Sequence, residues 1–197
     1  MSRRQQQKDA TAQRLFEVAV ELFRTRGYHE TTVEAIAAAA GVAKGTFFSH
    51  FASKDAVLGH LGRVQVQRLR AALDARPDLL GQSFREQICF IFDTLGGYIE
   101  GRRDLVMLTA FELLRQRDMQ WMDDQGIGTF DQLLLPFVRA AQERGELRAD
   151  VPPEDLASLV RSLYFMSVFD WLRADDRPFF EVAARRIDLL LEGIQAR

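Results

Sequence analysis

Cysteine is almost missing from this chain, and that scarcity excludes a fold held by disulfides. Cys89 is the single cysteine in 197 residues, so no intramolecular bridge can form, which fits a reducing compartment. It lies in the apolar stretch Ile88–Phe92, where packing rather than redox chemistry is its expected role. Proline and glycine are also sparse, at 5 and 13 residues. No alternating run rich in Val, Ile and Thr appears, which argues against a sheet. No stretch approaches the roughly 18 apolar residues of a membrane span. The polar, basic opening MSRRQQQKDA is not followed by the apolar segment of a signal peptide. The expectation is a cytoplasmic protein with no membrane partner. Catalytic motifs are absent as well: HExxH, GxSxG, CxxC and the Walker glycine loop do not occur. The only histidines are His29, His50 and His60, and none has metal-ligand spacing with a cysteine or carboxylate cluster. A non-enzymatic protein without metal or cofactor is therefore expected.

What is present is an ordinary globular balance, 47% hydrophobic and 27% charged, on a chain long enough to bury a core. The net charge is only −2, against a generic polyanion binder. Its distribution is uneven. Through His60 there are eight Lys and Arg against six acids, leaving +2 there and −4 in the remainder. A mildly basic head on an acidic body suits a DNA-binding segment joined to a regulatory one.

Apolar residues recur at three and four, the helical period, so the chain is expected to be all-α with about nine helices. Leu15, Val18, Ala19, Leu22 and Phe23 form the apolar stripe of a first helix, closed by Arg26 and Gly27 as C′ glycine. Thr31-x-x-Glu34 has capping-box spacing for a second helix over Val33–Ala39. Gly41 supplies the positive φ of a tight turn, and a third short helix runs to about Ser49. Ser53 opens a long fourth helix to about Ala75, before Arg76-Pro77, because the residue preceding proline avoids the helical region. After a linker at Asp78–Ser83, helices are predicted at Phe84–Arg102, Asp104–Arg117, Gly128–Arg144, Glu154–Leu172 and Pro178–Gln195. Gly96-Gly97 and Pro136 interrupt two of them. Two readings stand: tolerated kinks, or helices bowed around a cavity. The expected division is 1–52 as a helix-turn-helix domain and 53–197 as a helical effector-binding and dimerisation domain, with a linking helix at about 53–75.

Two short helices joined by a glycine turn are the layout of a helix-turn-helix, whose second helix enters the major groove. Here that element is Val42–Phe51. Lys44 can donate to guanine or to a phosphate, and Thr46 can bond a base or touch a thymine methyl. Gly45 removes a side chain where backbone meets the duplex. His50 and Lys54 can donate to phosphates and set register, while Phe47 and Phe51 are expected to pack inward. The bland alternative is a short amphipathic hairpin, or an adaptor that binds protein through Lys44–Phe51.

The run Gly27-Tyr28-x-x-Thr31-Thr32-Val33-x-x-Ile36-Ala37-x-x-Ala40-Gly41-Val42-x-Lys44-Gly45-Thr46-Phe47-Phe48-x-His50-Phe51-x-Ser53-Lys54 closely resembles the N-terminal signature of the TetR/AcrR family of bacterial repressors. The likeness covers about residues 10–60. It implies a homodimer with three N-terminal helices on DNA and a divergent helical core that binds a small molecule. By the same likeness, Thr32, Lys44, Gly45 and Thr46 occupy positions that commonly meet DNA, as do Phe48, Ser49, His50 and Lys54. Two positions depart from the pattern. Ala43 stands where serine is frequent, removing a capping hydroxyl worth about 1 kcal/mol. Phe48 stands where tyrosine is favoured, and it has no O–H for a phosphate.

The resemblance also implies pairing of the last two helices, about 154–172 and 178–195, in a four-helix bundle. Leu156, Leu159, Val160, Leu163, Val168 and Trp171 form one apolar face compatible with that. Val182, Ile187, Leu190, Leu191 and Ile194 form the other. A two-fold dimer presents two reading helices about one DNA turn apart and calls for a palindromic operator. Phe92, Tyr98, Met107 and Phe111 offer surface for a hydrophobic effector, with Trp121, Phe137 and Tyr164; core packing is the alternative for most. Glu112, if turned inward, needs Arg115 or a cationic ligand group as partner; exposure to solvent is the other reading. The function expected is a repressor released from its operator by a small hydrophobic effector. An activator, or a regulator without effector, remains the alternative.

Overall fold

The computed structural model describes residues 3–115, 127–174 and 177–194, with side chains over 5–111, 129–174 and 177–192. Nine α-helices occur among them, and none is long and apolar enough to cross a membrane. The head comprises α1 (Arg3–Arg26), α2 (Val33–Ala39) and α3 (Lys44–His50). The polar start of the chain is already helical, supported by exposed pairs at four-residue spacing, Gln5 with Asp9 and Gln13 with Glu17, the separation at which side chains on a helix meet. Gly27 ends α1 with φ +85°. Leu15, Ala19 and Phe23 of α1 are buried in one core with Ile36, Ala37, Phe47 and Phe51.

The capping box expected from Thr31 and Glu34 does not form. Thr31 is buried, and its hydroxyl donates to the Gly27 carbonyl at 2.8 Å. The next residue, Thr32, is extended and takes the cap, its hydroxyl accepting from Ala35 N at 3.1 Å. A true capping box appears instead at Ser83 and Glu86, at the edge of the expected linker. Packing decided between neighbouring threonines: the buried Thr31 hydroxyl is taken up by carbonyls at the end of α1, and the exposed Thr32 caps α2.

The body begins with α4 (Lys54–Asp74), capped by Ser53, whose hydroxyl accepts from Ala56 N. A 3₁₀ turn at Pro77–Gly81 leads to α5 (Phe84–Ile99), then α6 (Arg103–Arg115) and α7 (Ile127–Glu143) with Pro136 inside it. The chain closes with α8 (Pro153–Arg173) and α9 (Phe179–Ile194). Helix α5 runs unbroken through Gly96-Gly97. A Cβ on Gly96 would lie 2.4 Å from the Phe179 ring, whereas one on Gly97 would meet nothing within 4 Å. Gly96 therefore admits close approach of α9 rather than a break or a bowed wall. Cys89 is half-buried, and burial pushes its thiol pKa up, which favours the protonated thiol.

Helices α8 and α9 carry two apolar faces. Leu156, Val160, Val168 and Trp171, with Val182, Ile187 and Leu191, are buried within the protomer. They are core of one chain, not open surface. Leu159, Met166 and Leu189 point outward, the last two 54% and 58% exposed. Leu163 and Leu190 lie partly buried beside them, and the side chain of Ile194 is outside the described residues. The periodicity was visible in both helices, but only packing tells an inward stripe from an outward one.

Candidate nucleic-acid interface

The turn between α2 and α3 is built by Gly41 at φ +67°. Val42 N donates to Ala37 O and Gly41 N to Ala38 O, both at 3.0 Å, the paired bonds of a glycine-closed helix end. Helix α3 then starts at Lys44 with Ala43 at its cap and no side-chain bond there. Phe47 and Phe51 turn inward and are essentially fully buried. Their burial fixes which side of α3 faces away from the protein.

That outer side presents Lys44, Gly45, Phe48 and Ser49, with Thr46 and His50 half-buried at its edges. Phe48 is 48% exposed. Lys44 is not idle: its Nζ lies 2.5 Å from Glu34 Oε1 and 5.9 Å from the Phe48 ring centroid. The Lys44 hydrogen bond holds the Glu34 carboxyl below its usual range. Both groups are more than half exposed, and such pairs contribute little to stability. Ser49 Oγ donates to Thr46 O at 2.7 Å. Burial, then the charge of Lys8, lowers the His50 pKa below its ordinary value of 6.5, so at neutral pH this ring is an uncharged donor. A Cβ on Gly45 would meet nothing within 4 Å among the described residues, which give no reason for glycine there.

Lys54 and Thr32 hold other positions. Lys54 Nζ donates to the carbonyls of Tyr28 at 2.6 Å and Thr31 at 3.0 Å, and lies 4.2 Å from the Tyr28 ring centroid. The Tyr28 hydroxyl donates to Asp55. The start of α4 is thus clamped to the turn after α1. Thr32 faces the exterior with its hydroxyl oxygen engaged as the α2 cap. Sequence reasoning missed Glu34, Tyr28 and Asp55 as partners. Glu34 and Lys44 are ten apart across a turn, a separation no helical periodicity marks.

A second junction lies along α4. His60 packs between the rings of Phe16 and Phe51, at centroid distances of 5.0 and 5.6 Å. Burial, reinforced by Arg63, lowers its pKa to about 4. Farther along, Gln65 Nε2 donates to the Tyr164 hydroxyl at 2.8 Å. One helix therefore touches the head at Tyr28, Phe16 and Phe51 and the body at Tyr164.

Of the effector-lining candidates, Phe92, Tyr98, Phe137 and Tyr164 are buried. Phe92 and Tyr164 stack edge to face at 5.5 Å, and Phe179 joins them. Tyr98 is flanked by Arg68 and Arg102 at 4.6 and 4.7 Å. Met107 and Phe111, 46% and 65% exposed, do not share those enclosed surroundings. The side chains of Glu112 and Arg115, and Trp121 entirely, lie outside the described residues. No three His, Cys, Asp or Glu side chains gather as a metal site among the described residues.

Residues 15–61 match the family model described as bacterial regulatory proteins, tetR family. The chain is 44% identical over 189 residues to the HTH-type transcriptional regulator TcmR of Streptomyces glaucescens, covering 87% of this chain and 78% of that protein. It is 24% identical over 194 residues to the regulator UidR of Escherichia coli K12, covering 98% and 97% of the two chains. Among solved structures it is similar to Thermus thermophilus FadR, a TetR family transcriptional repressor in complex with lauroyl-CoA. That likeness has a TM-score of 0.72 and 30% identity, over 94% of this chain and 96% of that one.

Proposed function

Because the chain belongs to the TetR family of non-enzymatic, DNA-binding transcriptional regulators, we propose that it is a homodimeric repressor released from a palindromic operator by a small apolar effector. The observation that carries this reading is the outer side of α3. It combines a lysine, an unrequired glycine and an exposed phenylalanine over a fully packed inner side. Lys44 and Thr46 read base edges, Gly45 lets the α3 backbone close on the duplex, His50 bonds a phosphate, and Ser49 does so by turning its hydroxyl away from Thr46 O. Phe48 contributes apolar contact, where a thymine methyl or sugar is the natural partner. Thr32 and Lys54 act at the edge of the surface, Thr32 by ordering α2 and Lys54 by clamping α4 to the turn at Tyr28.

Pairing uses the outward side of α8 and α9, centred on Leu159, Met166 and Leu189. Release follows from tilting α4. The Gln65–Tyr164 bond couples that helix to the aromatic body, and Lys54 and His60 couple it to the head. An effector shifts the equilibrium only by binding one tilt better than the other. The Thermus relative is described with lauroyl-CoA, so a medium-chain acyl-CoA is the first effector to try.

The test is selection of bound sequences from a random DNA pool, followed by titration of lauroyl-CoA into the complex. Recovery of an inverted repeat and its release by the acyl-CoA support the reading. Recovery of no common sequence sinks the repressor. Retention of DNA by dimers cross-linked at the operator-bound spacing supports the tilt, and release from them overturns it.

A further inference from the structure

A cleft of about 490 Å³ opens where the head meets the body. One wall is the C-terminal half of α1 with Val20, Phe23 and Arg24, continued by Tyr28; the other is Gly101–Leu105 with Leu108, the turn before α6 and its first residues. Its volume falls in the range of small-molecule sites, roughly 300–1,000 Å³. The floor is apolar: Phe23 and Leu105 are buried, and Val20 and Leu108 half-buried. Cations dominate the rim. Arg24, Arg102 and Arg103 line it against one acid, Asp104.

The three arginines are held differently. Arg103 is pinned, donating to the carbonyls of Trp171 and Ala174 with its guanidinium over the Trp171 ring. Arg24 donates from Nε and Nη2 to the exposed Glu21, one turn back on its own helix, and also feels the charge of Asp104. Arg102 donates from Nη1 to Tyr98 O at 2.7 Å and lies over the Tyr98 ring, which leaves most of its donor fork unused among the described residues. Asp104 sits in the first turn of α6, where the helix dipole offsets part of its charge. With Glu21 counted beside Arg24, the mouth carries three guanidiniums against two carboxylates over an apolar floor. Guanidinium forks match carboxylates in shape as well as charge.

We propose that this head–body cleft is a second small-molecule site, taking an apolar molecule that ends in a carboxylate. The tail lies on Phe23, Leu105 and Leu108, and the carboxylate is bonded by Arg24 and Arg102 at the mouth. Such a ligand touches α1, α6 and Tyr28 at once. Tyr28 is the residue through which Lys54 and Asp55 hold the start of α4, so occupancy stiffens the joint between head and body. This site is separate from the effector pocket of the repressor reading, and its test reads binding rather than operator release.

Isothermal titration calorimetry with sodium decanoate, kept below its micellar range, provides the test on the full chain. Wild type is expected to give saturable binding. Val20→Trp and Leu108→Trp, which fill the cleft from opposite walls, abolish it while helicity and thermal midpoint are retained. The double variant Arg24→Gln, Arg102→Gln weakens it about tenfold, the loss expected for a charge-assisted bond. Absence of saturable heat in wild type overturns the site. Unchanged affinity in a folded cleft-filled variant does the same, because decanoate then sits elsewhere. Unchanged affinity in the arginine double variant overturns the assignment of the anionic group. None of these outcomes depends on whether acyl-CoA releases the operator.

Discussion

At the scale of single residues, Gly45 is where folding stability and the proposed DNA contact make opposite demands. Glycine in a helix is less stable than alanine by about 0.5–1 kcal/mol, and no neighbour here would clash with a methyl. Gly45→Ala should therefore raise the urea midpoint while weakening operator binding in a gel-shift titration. Equal affinity would remove the close approach of α3 to DNA. Lys44→Ala and His50→Ala should each weaken operator binding and leave the chain folded. The salt slope then divides the two options for Lys44. A phosphate contact lowers the slope by about one, while a base contact costs about 1–3 kcal/mol at one operator position. The candidate residues were legible in the sequence because a helix-turn-helix brings them from one short run. Their partners were not: Glu34 reaches Lys44, and Tyr28 reaches Lys54 and Asp55, only through the turns between helices.

His60 belongs to the element scale, because it is where α4 touches α1 and the end of α3. Its ring is neutral in the fold, with a pKa lowered from 6.5 to about 4. Between those values the unfolded chain binds the extra proton and the folded one does not, so stability falls as pH drops from about 6.5 toward 4. Thermal midpoints of wild type and His60→Gln, measured between pH 7.5 and 4.5, should converge as pH falls. Parallel curves would contradict this. The two glycines of α5 make an opposed pair. Gly96→Ala drives a methyl into Phe179 and should destabilise by about 1–3 kcal/mol, as overpacking does. Gly97→Ala, with open space, should stabilise by up to about 1 kcal/mol. Chemical denaturation of both variants checks the assignment, and equal effects would refute the close contact of α5 with α9. Sequence periodicity marked both glycines as irregular and left kink or cavity open, since only the neighbouring helix distinguishes them.

For the molecule as a whole, the proposed dimer rests on Leu159, Met166 and Leu189 facing away from the protomer core. Met166→Asp should shift the mass in light scattering from dimer to monomer with helicity intact. Operator affinity should collapse with it, because two heads no longer span one DNA turn. A dimeric Met166→Asp protein would move the interface elsewhere. The apolar stripes of α8 and α9 are visible from their spacing, yet seven of the residues on them are core of a single chain.

Local chemistry determined most of the helical outline. Gly27 and Gly41 punctuate the head by adopting positive φ, Ser53 caps α4, and apolar spacing marks each body helix within a few residues. These depend on neighbours within one or two turns, which a sequence displays directly. The tertiary structure alone decided which of two threonines caps α2, which stripe of α8 faces out, and why Gly96 must be small. It also brought Arg24 of α1 to the same cleft as Arg102 and Leu105. Those outcomes depend on side chains far apart in sequence and adjacent in space, and burial assigns each a partner that spacing along the chain does not encode.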